Sequence, residues 1–128
     1  GMAVNAGRVY IAPGGRHLIV ERNGGGIGIR ILDTPPENNC RPSVNVLFRS
    51  FASVYGERGA GVIMTGMGDD GYAGMRIMRE NGCYLLAQSR ESCLIYGMPA
   101  RPTEEGLVNE VLDIPGIAKR ITFLLGEG

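Results

Sequence analysis

Two adjacent carboxylates follow an apolar run in the middle of the chain. Residues 60–65 form an uninterrupted apolar stretch of strand length, and the turn behind it, residues 66–71, carries Asp69 and Asp70 between glycines. Ligands of open parallel sheets bind beyond the carboxyl ends of the strands, so this turn is the first candidate for a functional site. Carboxylates placed there can bind a cation, cap the next helix or orient a catalytic base.

The same turn matches the glycine pattern of dinucleotide-binding loops. Gly66, Gly68 and Gly71 have the G-x-G-x-x-G spacing between a predicted strand and a predicted helix. Such loops bind a pyrophosphate through backbone N–H groups, and Asp69 and Asp70 would place two negative charges beside it. Like charges at ~4 Å repel by about 4 kcal/mol at an effective dielectric of about 20, which disfavours nucleotide binding.

Two further interpretations of the acidic pair stay open on the sequence. Paired acids at a strand end suit Mg²⁺, although no third carboxylate can be placed beside them from the sequence. The alternative without chemistry is that Asp69 and Asp70 cap the helix that begins at Gly71.

Charge and cysteine content exclude several classes of protein. The 13 basic and 13 acidic residues give a formal net charge of zero, so no broad positive field is available for nucleic acid. Cys40, Cys83 and Cys93 have neither the number of a disulfide framework nor, with the single histidine His17, the spacing of a zinc site. We therefore expect a cytoplasmic protein without metal or cofactor.

The length and hydrophobicity of the chain predict one domain. The 128 residues, of which 44% are hydrophobic, suffice for a single core, and we expect one domain over residues 1–128. No stretch approaches the roughly 20 continuous apolar residues of a bilayer span, so membrane insertion is not expected. Gly1 ahead of Met2 is typical of the remnant of an expression tag.

The elements that must position the acidic turn alternate between strands and helices. Strands are predicted at 8–12, 60–65 and 83–87, and residues 17–21 and 27–32 are predicted to pair as a hairpin. Apolar spacings of three and four residues predict helices at 44–55, 72–80 and 117–125, with a further helical stretch near 91–96. This order predicts an α/β domain with a mostly parallel sheet.

Four motifs, in this order, resemble the CheB methylesterase family of bacterial chemotaxis. They are Val9-Tyr-Ile-Ala-Pro-Gly14 with His17, Arg41-Pro-Ser-Val44 with Leu47-Phe-Arg-Ser50, Thr65-Gly-Met-Gly68 with Asp70-Gly71, and Ala87-Gln88 with Ser92-Cys93 and Tyr96-Gly-Met-Pro99. The resemblance implies a three-layer α/β/α domain with a mostly parallel sheet plus a hairpin. It also implies hydrolysis of glutamyl methyl esters on methyl-accepting chemoreceptors and, in some members, of receptor glutamine amides.

The family's reaction uses a serine, a histidine and an aspartate. On the motif Thr-Gly-Met-Gly-x-Asp-Gly, the resemblance assigns the aspartate to Asp70 and an oxyanion-binding backbone N–H to Met67, between Gly66 and Gly68. His17 matches a family histidine that is separate from the catalytic base. As the single histidine, His17 is also the one candidate for a base within this sequence, but we expect it to line the site, together with Gly66 and Gly68, or to form local hydrogen bonds.

The resemblance implies that the serine and the base histidine lie upstream of Val9. None of the serines present lies in an exposed nucleophile elbow. We therefore expect a domain truncated on its N-terminal side, inactive alone, that needs a separate segment to supply both residues. The alternative is a non-catalytic interaction or regulatory domain, whose uncovered strand edge would favour homo-oligomers.

Overall fold

The N-terminal part of the chain forms a small antiparallel sheet in the computed structural model, which describes residues 2–126. Its strands are β1 (Met2–Ala3), β2 (His17–Asn23) and β3 (Gly26–Leu32), in the order β1-β3-β2. His17 lies opposite Leu32 across the hairpin, and Asn23 lies opposite Gly26. The predicted hairpin is confirmed, and Gly24, with a φ of 64°, supplies the left-handed residue of its turn.

Two helices connect this hairpin with the rest of the fold. α1 (Val44–Tyr55) packs against β2 and against α2 (Tyr72–Glu80), which in turn packs against the second sheet. Both helices have the predicted bounds because their apolar residues recur at helical spacing. The N-terminal ends of α1 and α2 meet at the acidic turn.

The second sheet is parallel, as expected from its apolar strands. β4 (Ala60–Ile63), β5 (Tyr84–Gln88) and β6 (Glu110–Leu112) lie in the order β4-β5-β6. α4 (Ile114–Leu124) packs against β5 and β6. The core between the parallel sheet and the two central helices contains Ala52, Ile63, Met75, Met78, Cys83, Leu85 and Ala87.

Three predicted elements differ from the structure. Residues 8–12 form no strand, because a strand needs a hydrogen-bonded neighbour and this segment has none within residues 2–126. The stretch predicted as helical near 91–96 is a loop behind one 3₁₀ turn at Arg90–Ser92. The last helix begins three residues before its predicted start, at Ile114. Two short elements were not predicted, β6 and α3 (Ala100–Glu104).

Gly74 of α2 lies directly against α1, and it carries a stability prediction. A Cβ at this position would lie 2.6 Å from the Cβ of Phe48 and 3.1 Å from the Cα of Asn45. We expect Gly74→Ala to lower the free energy of unfolding by about 1–2 kcal/mol, because overpacking outweighs the gain in helix propensity. Denaturant unfolding measures this loss. Gly14→Ala, whose new Cβ meets nothing within 4 Å, is the matched control, and equal stabilities of the two variants would contradict the prediction.

Candidate active site

The carboxylate of Asp70 is buried at the N-terminus of α1. Its Oδ1 accepts hydrogen bonds from the Ser43 hydroxyl at 2.8 Å and from the Asn45 backbone N–H at 3.2 Å. Its Oδ2 accepts one from the Val44 backbone N–H at 2.7 Å. The side chain is fixed by three donors, and the residue is only 5% exposed. A helix N-terminus is a favourable place for this negative charge.

The hydrogen-bonding capacity of Asp70 is not exhausted by these contacts. A carboxylate has about four acceptor positions. Three of them are filled by the donors from the start of α1, and in the described part of the chain Oδ2 has Val44 as its one donor. One acceptor position on Oδ2 is therefore open to an N–H donor from elsewhere.

The alternative in which Asp69 and Asp70 cap the helix beginning at Gly71 does not describe their side chains. Asp70 caps α1, and the side-chain oxygen of Asn45 accepts the N–H groups of Gly71 at 3.0 Å and Gly74 at 2.8 Å. The N-terminus of α2 is thus already filled by a protein side chain. The N–H groups of Gly71 and Gly74 are therefore not available to the pyrophosphate of a dinucleotide.

Asp69 turns away from its neighbour and is half exposed. It accepts a hydrogen bond from the Asn38 side chain at 2.8 Å and lies 3.6 Å from the guanidinium of Arg101. Asp69 and Asp70 are committed to different partners, which does not support the magnesium interpretation. Among residues 2–126, no cluster of three or more potential metal ligands is present.

His17 is fully buried, and both of its ring nitrogens are hydrogen-bonded. Nδ1 lies 3.2 Å from the Ser43 backbone N–H, which can only donate, and Nε2 lies 3.0 Å from the Pro35 carbonyl, which can only accept. These partners assign a neutral ring protonated at Nε2. Because its one basic nitrogen already holds the chain just before α1, His17 is not placed to remove a proton from a nucleophile.

Met67 lies on the exposed turn after β4. Gly66 donates its N–H to the Ile95 carbonyl at 3.1 Å and accepts the N–H of Met98 at 2.8 Å. Gly68 adopts a φ of 86°, a conformation that favours glycine. Within the described residues the N–H of Met67 has no acceptor, and the residue is 79% exposed. This N–H is available to a developing negative charge.

A buried glutamine, Gln88, connects the end of β4 to the loop that follows β5. The side-chain oxygen of Gln88 accepts the Thr65 N–H at 2.8 Å, and its side-chain nitrogen donates to the Ser92 carbonyl at 2.9 Å. The Thr65 hydroxyl then bridges to the backbone of Ile95. The sequence predicts a cap or helix-face position for Ser43 and indicates no role at the site for Gln88 or Asn45. Their only local signal is a polar residue at the end of an apolar strand or at the start of a helix.

The three cysteines are free thiols, and two of them have shifted pKa values. Burial, and then the charges of Asp70 and Asp69, raise the pKa of the Cys40 thiol. Burial raises the pKa of Cys83. A raised pKa lowers the thiolate fraction at neutral pH, so neither environment activates a cysteine nucleophile.

Comparison with known proteins gives this geometry its context. The family model described as CheB methylesterase matches residues 1–121. The chain belongs to the CheB methylesterase family. It is 45% identical over 128 residues to a "Protein-glutamate methylesterase/protein-glutamine glutaminase" of Pectobacterium atrosepticum, covering 100% of this chain and 37% of the relative. A protein of the same description, numbered 2, from Albidiferax ferrireducens is 50% identical over 115 residues, covering 90% and 33%.

The fold of this CheB-family chain matches a solved structure as well. The crystal structure of the Thermotoga maritima CheB methylesterase catalytic domain superposes with a TM-score of 0.94 at 34% identity. The match covers 97% of this chain and 66% of that domain, and the chain spans about a third of the length of the curated relatives. The predicted α/β class, with a parallel sheet and an antiparallel hairpin, is confirmed. No helix within residues 2–126 has the length and apolarity needed to cross a bilayer.

Proposed function

We propose that this chain forms the supporting half of a protein-glutamate methylesterase active site. Asp70 accepts the N–H of a catalytic imidazole on its open Oδ2 position, and the Met67 N–H binds the oxyanion of the tetrahedral intermediate. The observation that carries the proposal is the buried carboxylate of Asp70, which is held by three donors and, within residues 2–126, retains one unfilled acceptor position.

The proposed reaction follows the serine–histidine–aspartate mechanism. A serine oxygen attacks the ester carbonyl of a glutamyl side chain while the imidazole takes the serine proton, and methanol leaves with that proton. Water then hydrolyses the acyl-serine and restores the free glutamate. Asp70 stabilises the imidazolium in both steps, and Met67 stabilises the oxyanion. The same sequence on a glutamine amide releases ammonia, in keeping with the glutaminase named in the relatives' descriptions.

Serine and base histidine come, in this proposal, from a segment outside the 128 residues. The single histidine of the sequence is His17, and the hydrogen bonds on both of its ring nitrogens support a role other than the base. The family resemblance implies that the serine and the base histidine lie upstream of Val9. The uncovered third of the Thermotoga maritima domain is consistent with such a segment.

A groove beside residues 8–12 offers the surface for this segment. The groove has a volume of about 630 Å³ and is lined mainly by apolar side chains from the 8–12 segment, β2 and β3. Val9 is 90% exposed and Ile11 is 86% exposed, although their β-branched side chains favour packed strands. We infer that 8–12 becomes a paired strand once the missing segment is in place, with self-association through the same edge as the alternative.

The biological setting belongs to the same proposal. The ester substrate is a methyl-accepting chemoreceptor, which the family resemblance implies. The three free cysteines fit a reducing compartment, and we propose the cytoplasm. The alternative function, a non-catalytic interaction domain, draws its support from the exposed groove alone.

Complementation tests the proposal. The chain and a separately produced serine- and histidine-bearing segment of a CheB relative are assayed alone and mixed, with release of methanol from methylated receptor as the measurement. We expect turnover only in the mixture, because neither polypeptide contains all three relay residues. The same segment with its serine replaced by alanine is the control. Turnover by this chain alone that disappears in the Asp70→Ala variant would contradict the proposal.

Light scattering tests both proposed uses of the groove, which are binding of the missing segment and self-association. The chain alone is expected to self-associate through its unpaired 8–12 segment, and the added segment is expected to replace those contacts with a one-to-one complex. A chain that stays monomeric at high concentration and forms no complex with the added segment would count against both uses of the groove.

A further inference from the structure

The two helices that meet at the acidic turn exchange their caps. Asp70, which lies just before α2, accepts the first N–H groups of α1. Asn45, which lies in the first turn of α1, accepts the N–H groups of Gly71 and Gly74 in α2. Each side chain satisfies donors that have no partner within their own helix. The position of Asp70 is therefore tied to that of Asn45 through two helices.

We propose that Asn45 is a positioning residue for Asp70 in the hydrolytic relay, an inference that rests on the proposed function. The Asn45 oxygen holds the backbone of the Asp70–Gly71 turn, and the start of α1 holds the Asp70 carboxylate. Together they fix the direction in which the open Oδ2 position faces. Asn45 touches no reacting group and acts only through Asp70.

The residues around the Asp70–Gly71 turn leave it little space to move. Gly71 adopts a φ of 102°, and a Cβ there would lie 2.8 Å from Ile63 and 3.1 Å from Val44. Asn45 is itself 5% exposed, so water cannot readily replace its side-chain oxygen. His17 takes part in the same hydrogen-bond network. Its Nδ1 accepts the backbone N–H of Ser43, and the Ser43 hydroxyl donates to Asp70.

Removal of the Asn45 side chain has a kinetic consequence in this arrangement. Two buried N–H groups lose their acceptor, and the Asp70–Gly71 turn shifts toward new partners. A displacement of about 1 Å at a catalytic group can lower the rate about 100-fold. We expect Asn45→Ala to lower kcat by about 10- to 100-fold, with KM changed less than about threefold, because the substrate itself is not contacted.

A double-mutant cycle between positions 45 and 70 tests the proposal. It is carried out in a completed domain, in which the serine- and histidine-bearing segment of a CheB relative precedes this chain. Asn45→Ala is measured in the parent and in the Asp70→Asn background, which keeps one acceptor oxygen for the donors of α1. We expect the loss in kcat to vanish in the second background, whereas a general loss of structure would persist there. Asn45→Asp would place a second negative charge beside Asp70. Asn45→Gln, which keeps a neutral amide oxygen as acceptor, is therefore the conservative variant and is expected to lose less kcat than Asn45→Ala.

Controls keep the outcomes separate. Ile117→Ala removes a buried side chain of α4 and is expected to lower stability without this loss in kcat. If Asn45→Ala does not fold, Asn45→Ser, which keeps one acceptor oxygen, is expected to show a loss of about tenfold. Equal losses of kcat in both backgrounds, or none in the parent, would overturn the role of Asn45. An Asp70→Ala variant with parental kcat would instead overturn the proposed function.

Discussion

Asp70→Asn in the completed domain is expected to lower kcat by about 10⁴-fold while KM changes little. The open position on Oδ2 accepts an imidazole N–H in the proposed relay. An amide in its place presents either a donor or a weaker, uncharged acceptor, so the imidazole loses its orientation and the imidazolium loses its counter-charge. Steady-state hydrolysis of a glutamyl methyl ester, followed by methanol release, measures the effect.

Asp69 supplies the matched control for this experiment. It is the adjacent carboxylate, yet it is half exposed and directed at Asn38 and Arg101. Asp69→Asn removes the same charge one residue away, and we expect kcat within about twofold of the parent. Equal losses in the two variants would indicate a general electrostatic effect and would remove the basis for a relay role of Asp70.

Substitution of Asp70 affects stability as well as the proposed catalysis, and the two effects must be measured separately. Asp70→Ala leaves the Ser43 hydroxyl and two backbone N–H groups without their acceptor. Loss of a helix cap with buried unpaired donors costs about 3 kcal/mol. Kinetic constants therefore need to be referred to the folded fraction, and Asp70→Asn, which keeps one acceptor oxygen, is the better kinetic variant.

Local patterns were sufficient for the elements that depend on local physics. The hairpin was predicted at 17–21 and 27–32 and is found at His17–Asn23 and Gly26–Leu32. α2 has its predicted bounds, since an apolar helical face ends at an Asn-Gly pair that cannot continue it. Residues close in sequence determine turn and helix geometry, so a short stretch of sequence is enough to predict these elements.

Elements that depend on distant partners were predicted less well. Residues 8–12 have the composition of a strand, but pairing requires another strand, and within residues 2–126 none lies beside them. β6 has three residues and forms only because β5 offers an edge. The helical spacing near 91–96 gives way to a loop because Gln88 and Thr65 bind its backbone.

In the candidate site, too, residues within one short motif are predictable and residues that meet only in the fold are not. Asp70 was found because a short motif resembles a family, and that assignment remains a prediction that the variants above test. Ser43 and Asn45 contact Asp70 across 27 and 25 positions of sequence. Such pairs have no spacing rule, so only the fold reveals them. The sequence offers His17 either as a base or as a residue with local hydrogen bonds, and its two observed hydrogen bonds favour the local role.

Gly97→Ala carries the second large expected effect, at the turn that contains Met67. A Cβ at position 97 would lie 2.4 Å from the Gly66 carbonyl oxygen and 3.1 Å from the Gly68 nitrogen. Both neighbours are backbone atoms, so no side chain can rotate away to relieve the clash. The turn 66–68 must move instead, and it carries the N–H of Met67. We expect kcat to fall by about 10²- to 10³-fold, the usual effect of losing one oxyanion donor.

The cause of this loss can be isolated because an alanine at 97 is not strained by its own backbone. Gly97 is not among the positive-φ glycines, so the penalty comes from contact with the turn alone. Gly25→Ala, in the hairpin turn with nothing within 4 Å of the new Cβ, is the control and should keep parental kcat. A folded Gly97→Ala variant with kcat within threefold of the parent would show that the Met67 N–H is not an oxyanion donor. A loss confined to kcat would place the stabilisation in the transition state, because an interaction made equally with bound substrate would change KM as well.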